Sequence, residues 1–261
     1  MWITDAARAV VLRLDAAGSV VRELATGAPD PRDAGLVLVG SRLWIANLGG
    51  TVGVIDVATG EAVARVAVEP GEPAALAVAG NGNVWVPLHG PGGGLVRLDA
   101  DPTAEEPRRT DLPESGFAVA VAGSRVWVAG LEGRLFEVNA ATGEVERTVD
   151  LGGAPRGVAV AAGDVWVSLR DEGSVVRVDG DSGEELERIP VDGQPWPVAS
   201  GGGFVWVATG AGRLLRIDPT TNRITGSTTV GPDPRSIAVG TDAVWVASQS
   251  GVVSRIELSS R

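Results

Sequence analysis

The sequence has no cysteine, no lysine, no tyrosine and a single histidine. Without cysteine there are no disulfides, no thiolate metal sites and no thiol nucleophile, and the redox compartment stays open. One histidine, His89, makes neither a metal site nor a triad by itself. No apolar run approaches the roughly 20 residues needed to cross a bilayer. The start, Met1-Trp2-Ile3-Thr4-Asp5, lacks the basic and apolar regions of a signal peptide. A soluble chain is expected, or an extracytoplasmic piece if it has been cut from a membrane receptor. All 22 basic residues are arginine, which with abundant Ala, Gly and Val reads as GC-rich coding. Against 33 acidic residues the net charge is −11. That charge repels a phosphate backbone at long range and excludes nucleic acid as a partner.

What the chain does have is glycine (37), proline (16) and a 44% hydrophobic content. That is enough for a substantial core in a chain that turns every ten residues or so. Between Arg156 and Asp179 lie three short apolar runs, Val158–Ala161, Val165–Val167 and Val175–Val178, each bounded by Gly, Asp or Ser. They are too short for helices, so strands are predicted, and apolar residues at both parities mean that both faces are covered. The central tryptophan recurs as Trp2, Trp44, Trp85, Trp127, Trp166, Trp206 and Trp245, at spacings of 39–42 residues. Such a period, with several short strands and no helical pattern, predicts an all-β fold, a β-propeller of four-stranded antiparallel blades forming one domain over residues 1–261.

With the strands of a repeat lettered A to D from the axis outward, Trp2 opens on a B strand, followed by Val10–Leu14 and Val20–Ala25. Five full sets follow, with inner strands at Leu36, Leu76, Val119, Val158 and Val198. The last repeat has only Ile237–Val239, Val244–Ala247 and Val252–Ile256. Seven blades, both terminal ones short by one strand, fit this count, and six blades with a rearranged closure are the alternative. The missing inner strand of blade one is expected upstream of Met1, and the open seam allows a monomer or a seam-mediated oligomer. Small residues fill the inner strands, as in Ala118-Val119-Ala120-Val121, and each periodic tryptophan is expected to wedge against the next blade. Asp56, Asn139, Asp179 and Asp218 open similar C to D turns, closed by Gly60, Gly143, Gly183 and Asn222 in the left-handed position. Asp179-Gly180-Asp181-Ser182-Gly183 is half of a calcium loop, but its siblings lack the second carboxylate, so it reads as a plain turn.

The aligned units give Pro-x-Gly-Val-Ala-Val, Val-Trp-Val-Ala and Val-x-Arg-Ile-Asp-x-x-Thr-Gly. This pattern resembles the bacterial propeller repeats grouped as YVTN or NHL-like, including the virginiamycin B lyase family and the propeller sensor domains of actinobacterial serine/threonine kinases. The resemblance covers the whole chain and implies a fold more than an activity. The lyase family implies elimination by a histidine, carboxylates and magnesium on one face. Here the late repeats carry Trp196, Arg235 and Ser248-Gln249-Ser250, so no catalytic residue carries over.

In a propeller the D to A and B to C loops share one face, where blade-specific residues on a rigid ring bind ligands. The B to C loops offer Asp5, Arg8, Asn47, His89, Glu132, Arg170, Asp171, Glu172 and Gln249, and the D to A connections offer Arg156, Trp196 and Arg235. Trp196, between Pro195 and Pro197, is outside the tryptophan period, and its counterparts are Ala34, Ala74, Phe117, Arg156 and Arg235. It is expected to stack on a ligand or a partner's side chain, or to cap the channel. Arg156 and Arg235 suit a carboxylate or phosphate clamp, or pairing with neighbouring acids. The Pro-rich stretch 100–113 is expected to be a solvated outer edge. A non-catalytic propeller binding a small ligand or protein segment, as the sensor part of a larger receptor, is the leading expectation. Its site residues are Trp196, Arg156, Arg235, His89, Arg170, Asp171, Glu132 and Gln249, with no metal or cofactor. A divergent lyase or hydrolase, and a structural scaffold, are the alternatives.

Overall fold

The computed structural model describes residues 1–26, 35–47 and 49–258. Ala34 lies outside the described residues. Among those residues every regular element is a strand, and no helix is long and apolar enough to cross a membrane.

The strands form seven antiparallel sheets, the arrangement of a seven-bladed β-propeller. The first sheet is β1 (Trp2–Asp5), β2 (Val10–Leu14) and β3 (Val20–Ala25). The second is β4 (Leu36–Val39), β5 (Arg42–Asn47), β6 (Thr51–Asp56) and β7 (Ala62–Ala67). The third contains β8 (Glu72–Pro73), β9 (Ala77–Val78), β10 (Val84–His89), β11 (Gly94–Leu98) and β12 (Arg108–Asp111). The fourth is β13 (Gly116–Ala122), β14 (Arg125–Gly130), β15 (Arg134–Asn139) and β16 (Val145–Asp150). The fifth is β17 (Pro155–Ala161), β18 (Asp164–Leu169), β19 (Ser174–Val178) and β20 (Glu185–Pro190). The sixth is β21 (Pro195–Gly201), β22 (Phe204–Thr209), β23 (Arg213–Asp218) and β24 (Arg223–Thr229). The seventh is β25 (Pro234–Val239), β26 (Ala243–Ser248) and β27 (Val253–Glu257).

The blade count and the three-stranded ends are as expected from the tryptophan period. The inner strand of blade three differs, because it is split into β8 and β9. Both pieces pair with β10 on either side of Pro87, which has no N–H to give the ladder. Only Ala74 N–H, donating to the Pro87 carbonyl at 3.0 Å, bridges the gap.

The chain divides into two compact units, Met1–Val128 with Glu137–Glu146, and Ala129–Phe136 with Arg147–Arg261. In the first, Trp44 is fully buried against Val84, Val86, Val96 and Leu98 of the following blade. In the second, Trp166 packs on Val205, Val207, Leu215 and Ile217, and Trp206 on Val244 and Val246. Each ring is thus the wedge its period predicted, contributing about 4 kcal/mol by burial. Trp2, in the three-stranded first sheet, is only half-buried.

Arginines latch successive blades together within each unit. Arg22 donates to the carbonyls of Val57 (2.5 Å) and Ala58 (2.7 Å), and Arg97 to that of Ala141 (3.2 Å). In the second unit Arg147 reaches the Asp181 carbonyl at 2.8 Å. Arg177 reaches the Pro219 carbonyl and Asn222 Oδ1, each at 2.7 Å, while pairing with buried Asp164 at 2.5 Å. Apart from Asp164, which is in the same blade as Arg177, these acceptors lie in the next blade's C to D turn. Those turns form as the sequence indicated: Asp56 Oδ1 accepts the Ala58 and Thr59 N–H groups, and Asn139 Oδ1 those of Ala141 and Thr142. Asp179 Oδ1 likewise takes the N–H groups of Asp181 and Ser182. In the 100–113 stretch, Arg109 ties the outer strand to the Gly92, Gly93 and Pro70 carbonyls.

Candidate functional site

In three successive blades of the second unit strand A opens on a proline, and that proline faces the end of strand B. Pro155 lies opposite Leu169, Pro195 opposite Thr209 and Pro234 opposite Ser248. The D to A connection and the B to C loop therefore meet at one end of each sheet. Immediately after each proline the register slips. Arg156 falls between Pro155 and Gly157, Arg235 between Pro234 and Ser236, and Trp196 with Pro197 between Pro195 and Val198. A β-bulge leaves its extra residue outside the ladder and bends the strand, so it re-aims a side chain. Proline, with no donor to lose, fits such a position. The proline that opens strand A thus marks the bulge in all three blades.

Strand β17 packs beside β21, and β21 beside β25, so Trp196 is flanked by the displayed arginine of each neighbouring blade. The guanidinium carbon of Arg235 lies 4.3 Å from the centroid of the indole and that of Arg156 5.9 Å. A third, Arg170 from the turn after β18, lies at 4.7 Å. Each contact contributes about 0.5–2 kcal/mol, depending on how dry it is. The indole is engaged by arginines of its own chain. Arg170 Nη2 donates to Gln194 Oε1 at 3.3 Å, and Arg235 Nη2 donates to Asp233 Oδ2 at 3.0 Å and to Gln249 Oε1. The Nε atoms of Arg170 and Arg235 are buried without a hydrogen-bond partner. Burial pushes the pKa of half-buried Arg156 below its ordinary value, with nearby Asp171 opposing that shift and the charge of Arg170 adding to it.

Two features fix this arrangement. The Trp196 carbonyl accepts the Ser168 hydroxyl at 2.6 Å, and it passes so close to Gly157 that a Cβ there would lie 2.5 Å from it. Gln194 and Asp233, each just before a bulge proline, have φ of 60° and 53°, a left-handed conformation that aspartate tolerates and glutamine disfavours. Gly157, Ser168, Gln194 and Asp233 escaped the sequence reading. Only Gly157 left a signal, as the third residue of Pro-x-Gly.

The structure therefore unites Trp196, Arg156, Arg170, Arg235 and Gln249, with Asp171 acting on Arg156. His89 belongs to the other unit and is not a loop residue. It ends β10, pairs in register with Glu72 of the short strand β8, and its Nε2 lies 3.6 Å from Glu72 Oε2. Sequence reasoning placed it in the loop because it did not anticipate β8. Glu132 is exposed in the turn after β14. Among the described residues no group of three or more His, Asp or Glu is placed to hold a metal ion. A cleft of about 230 Å³ in the first unit, lined by Trp85, Arg97, Arg109 and Thr110, surrounds one of the arginine latches. Its Arg97 and Thr110 are already bonded to turn carbonyls, Thr110 to that of Gly143 at 2.6 Å.

No protein-family model matches the sequence, and no curated protein matches it. Solved structures do match in fold. Hydrazine synthase from Kuenenia stuttgartiensis is 14% identical with a TM-score of 0.83, over 99% of this chain and 92% of that one. BamB from Moraxella catarrhalis is 19% identical with a TM-score of 0.68, over 97% of this chain and 78% of that one. At these identities the likeness establishes the β-propeller fold alone, and the two relatives share that fold with different functions.

Proposed function

We propose that the protein is a non-catalytic binding propeller of the YVTN or NHL-like type. It takes a small ligand or a protein segment at the bulge end of blades five to seven, in the manner of a sensor module. The observation that carries this reading is the set of three guanidiniums gathered on one indole by bulges in successive blades. Packing alone gives no reason to display three like charges together, and two of them keep a buried N–H without a partner. Left-handed φ at Gln194, which accepts from Arg170, adds strain of the kind that collects at functional sites.

The test is a thermal-shift panel of anionic, neutral and cationic small molecules and short peptides, run on the protein and on Trp196→Ala. At least one compound should raise the parent's Tm by about 3 °C at ten times its Kd, and leave the variant unmoved. An empty panel, or hits that stabilise both proteins alike, would remove the assignment.

A further inference from the structure

We infer that the group recognised at the Trp196 cluster is a tetrahedral oxyanion of the phosphate class, free or carried by a small molecule. This rests on reading the cluster as a binding site. Three guanidiniums stand within 6 Å of one ring centroid; Asp233 pairs with Arg235, and Asp171 acts on Arg156. Three arginines thus gather on one ring in a chain of net charge −11. Arg170 is held by the neutral amide oxygen of Gln194, which orients its guanidinium without cancelling the charge. The indole does the same by a different route, since a cation–π contact positions a guanidinium and consumes none of its N–H donors.

The number and origin of the donors select the shape of the anion. One guanidinium fork saturates the two oxygens of a carboxylate. Here guanidiniums arrive from two flanking bulges and from a B to C loop, on three different segments of the chain. Guanidiniums from three segments suit a phosphate, which spreads a charge of about −1.5 to −2 over three or more oxygens.

Calorimetry at constant ionic strength decides the matter, with inorganic phosphate and phenyl phosphate set against acetate and benzoate. The proteins are the parent, Arg170→Gln, Arg170→Lys and the remote, exposed Arg213→Gln, whose guanidinium bonds only Ser227. Phosphates should bind the parent and Arg213→Gln at least about tenfold more tightly than the carboxylates do, a margin of about 1.4 kcal/mol. Arg170→Gln should weaken phosphate about tenfold, and Arg170→Lys less, because charge survives while the fork is lost. A tighter phenyl phosphate points to a phosphorylated metabolite and equal affinities to free phosphate, and both results support the inference. Carboxylates binding as well as phosphates, or phosphate indifferent to Arg170→Gln, overturns it. If compounds in the thermal-shift panel still depend on Trp196 after that result, the binding site stands and only the ligand class falls.

Discussion

Replacing Gly157 by alanine tests how the site is held. The added Cβ would sit 2.5 Å from the Trp196 carbonyl oxygen, 2.8 Å from the Val198 nitrogen and 3.1 Å from Ser168 Oγ. Two of these atoms are backbone in the adjoining blade, so no rotamer change relieves the clash, and β17 must move away from β21. Overpacking of this kind costs about 1–3 kcal/mol. The same movement stretches the 2.6 Å bond from Ser168 to the Trp196 carbonyl, worth about another 1 kcal/mol. The expected loss is about 3 kcal/mol, read by urea denaturation, with a Tm lower by about 6 °C. The control is Gly80→Ala, where an added Cβ meets nothing within 4 Å. A change below about 0.5 kcal/mol is expected there, as for an ordinary surface substitution. If Gly157→Ala matches Gly80→Ala, the close approach does not position Trp196 and the account of the site is wrong.

Other predictions concern the same scaffold. Gln194→Gly should stabilise the fold by about 1 kcal/mol in urea, because glycine accepts φ near 60°, yet weaken ligand binding by freeing Arg170. Arg177→Met should cost about 3 kcal/mol, since it strands the buried Asp164 carboxylate and releases the latch on the 219–222 turn. Backbone N–H groups of Thr59 and Ala58 hold the Asp56 carboxyl below its ordinary 3.8, and those of Ser182 and Asp181 do so for Asp179. Carboxyls lowered in the folded state add stability that is full above the unfolded value near pH 4 and is lost as pH falls through the folded value. Melting temperature should therefore drop in acid below about pH 4, and Asp56→Asn with Asp179→Asn should flatten the drop, because Asn139 already serves the equivalent turn.

The fold was legible because it is repeated. Trp44, Trp85, Trp127 and Trp166 are all but fully buried, and their recurrence exposed blade number, strand order and turn positions before any contact was known. The split inner strand of blade three was not legible, because it depends on Pro87 lying across from Ala74, a pairing that the run of small residues does not reveal. The candidate site was half legible. Trp196, Arg156 and Arg235 stood out as substitutions within a repeated motif, but nothing in the one-dimensional pattern tells a bulge from an ordinary strand start. Arg170 was found by loop position alone, and its approach to the indole is a product of packing between β18 and β21. His89 drew attention as the single histidine, although its surroundings amount to one partner, Glu72.

The most direct test of the central claim is the set of indole N–H signals in a nitrogen-15 correlation spectrum as phenyl phosphate is titrated in. The chain has eight tryptophans, of which Trp44, Trp85 and Trp166 are sealed between strands and Trp196 faces the arginines. The Trp196 signal should move in proportion to occupancy, together with the Nε–H signals of Arg170 and Arg235, while those three buried indoles stay fixed. A Trp196 signal that stays still while another compound of the panel binds the protein would contradict a site at the bulge end of blades five to seven.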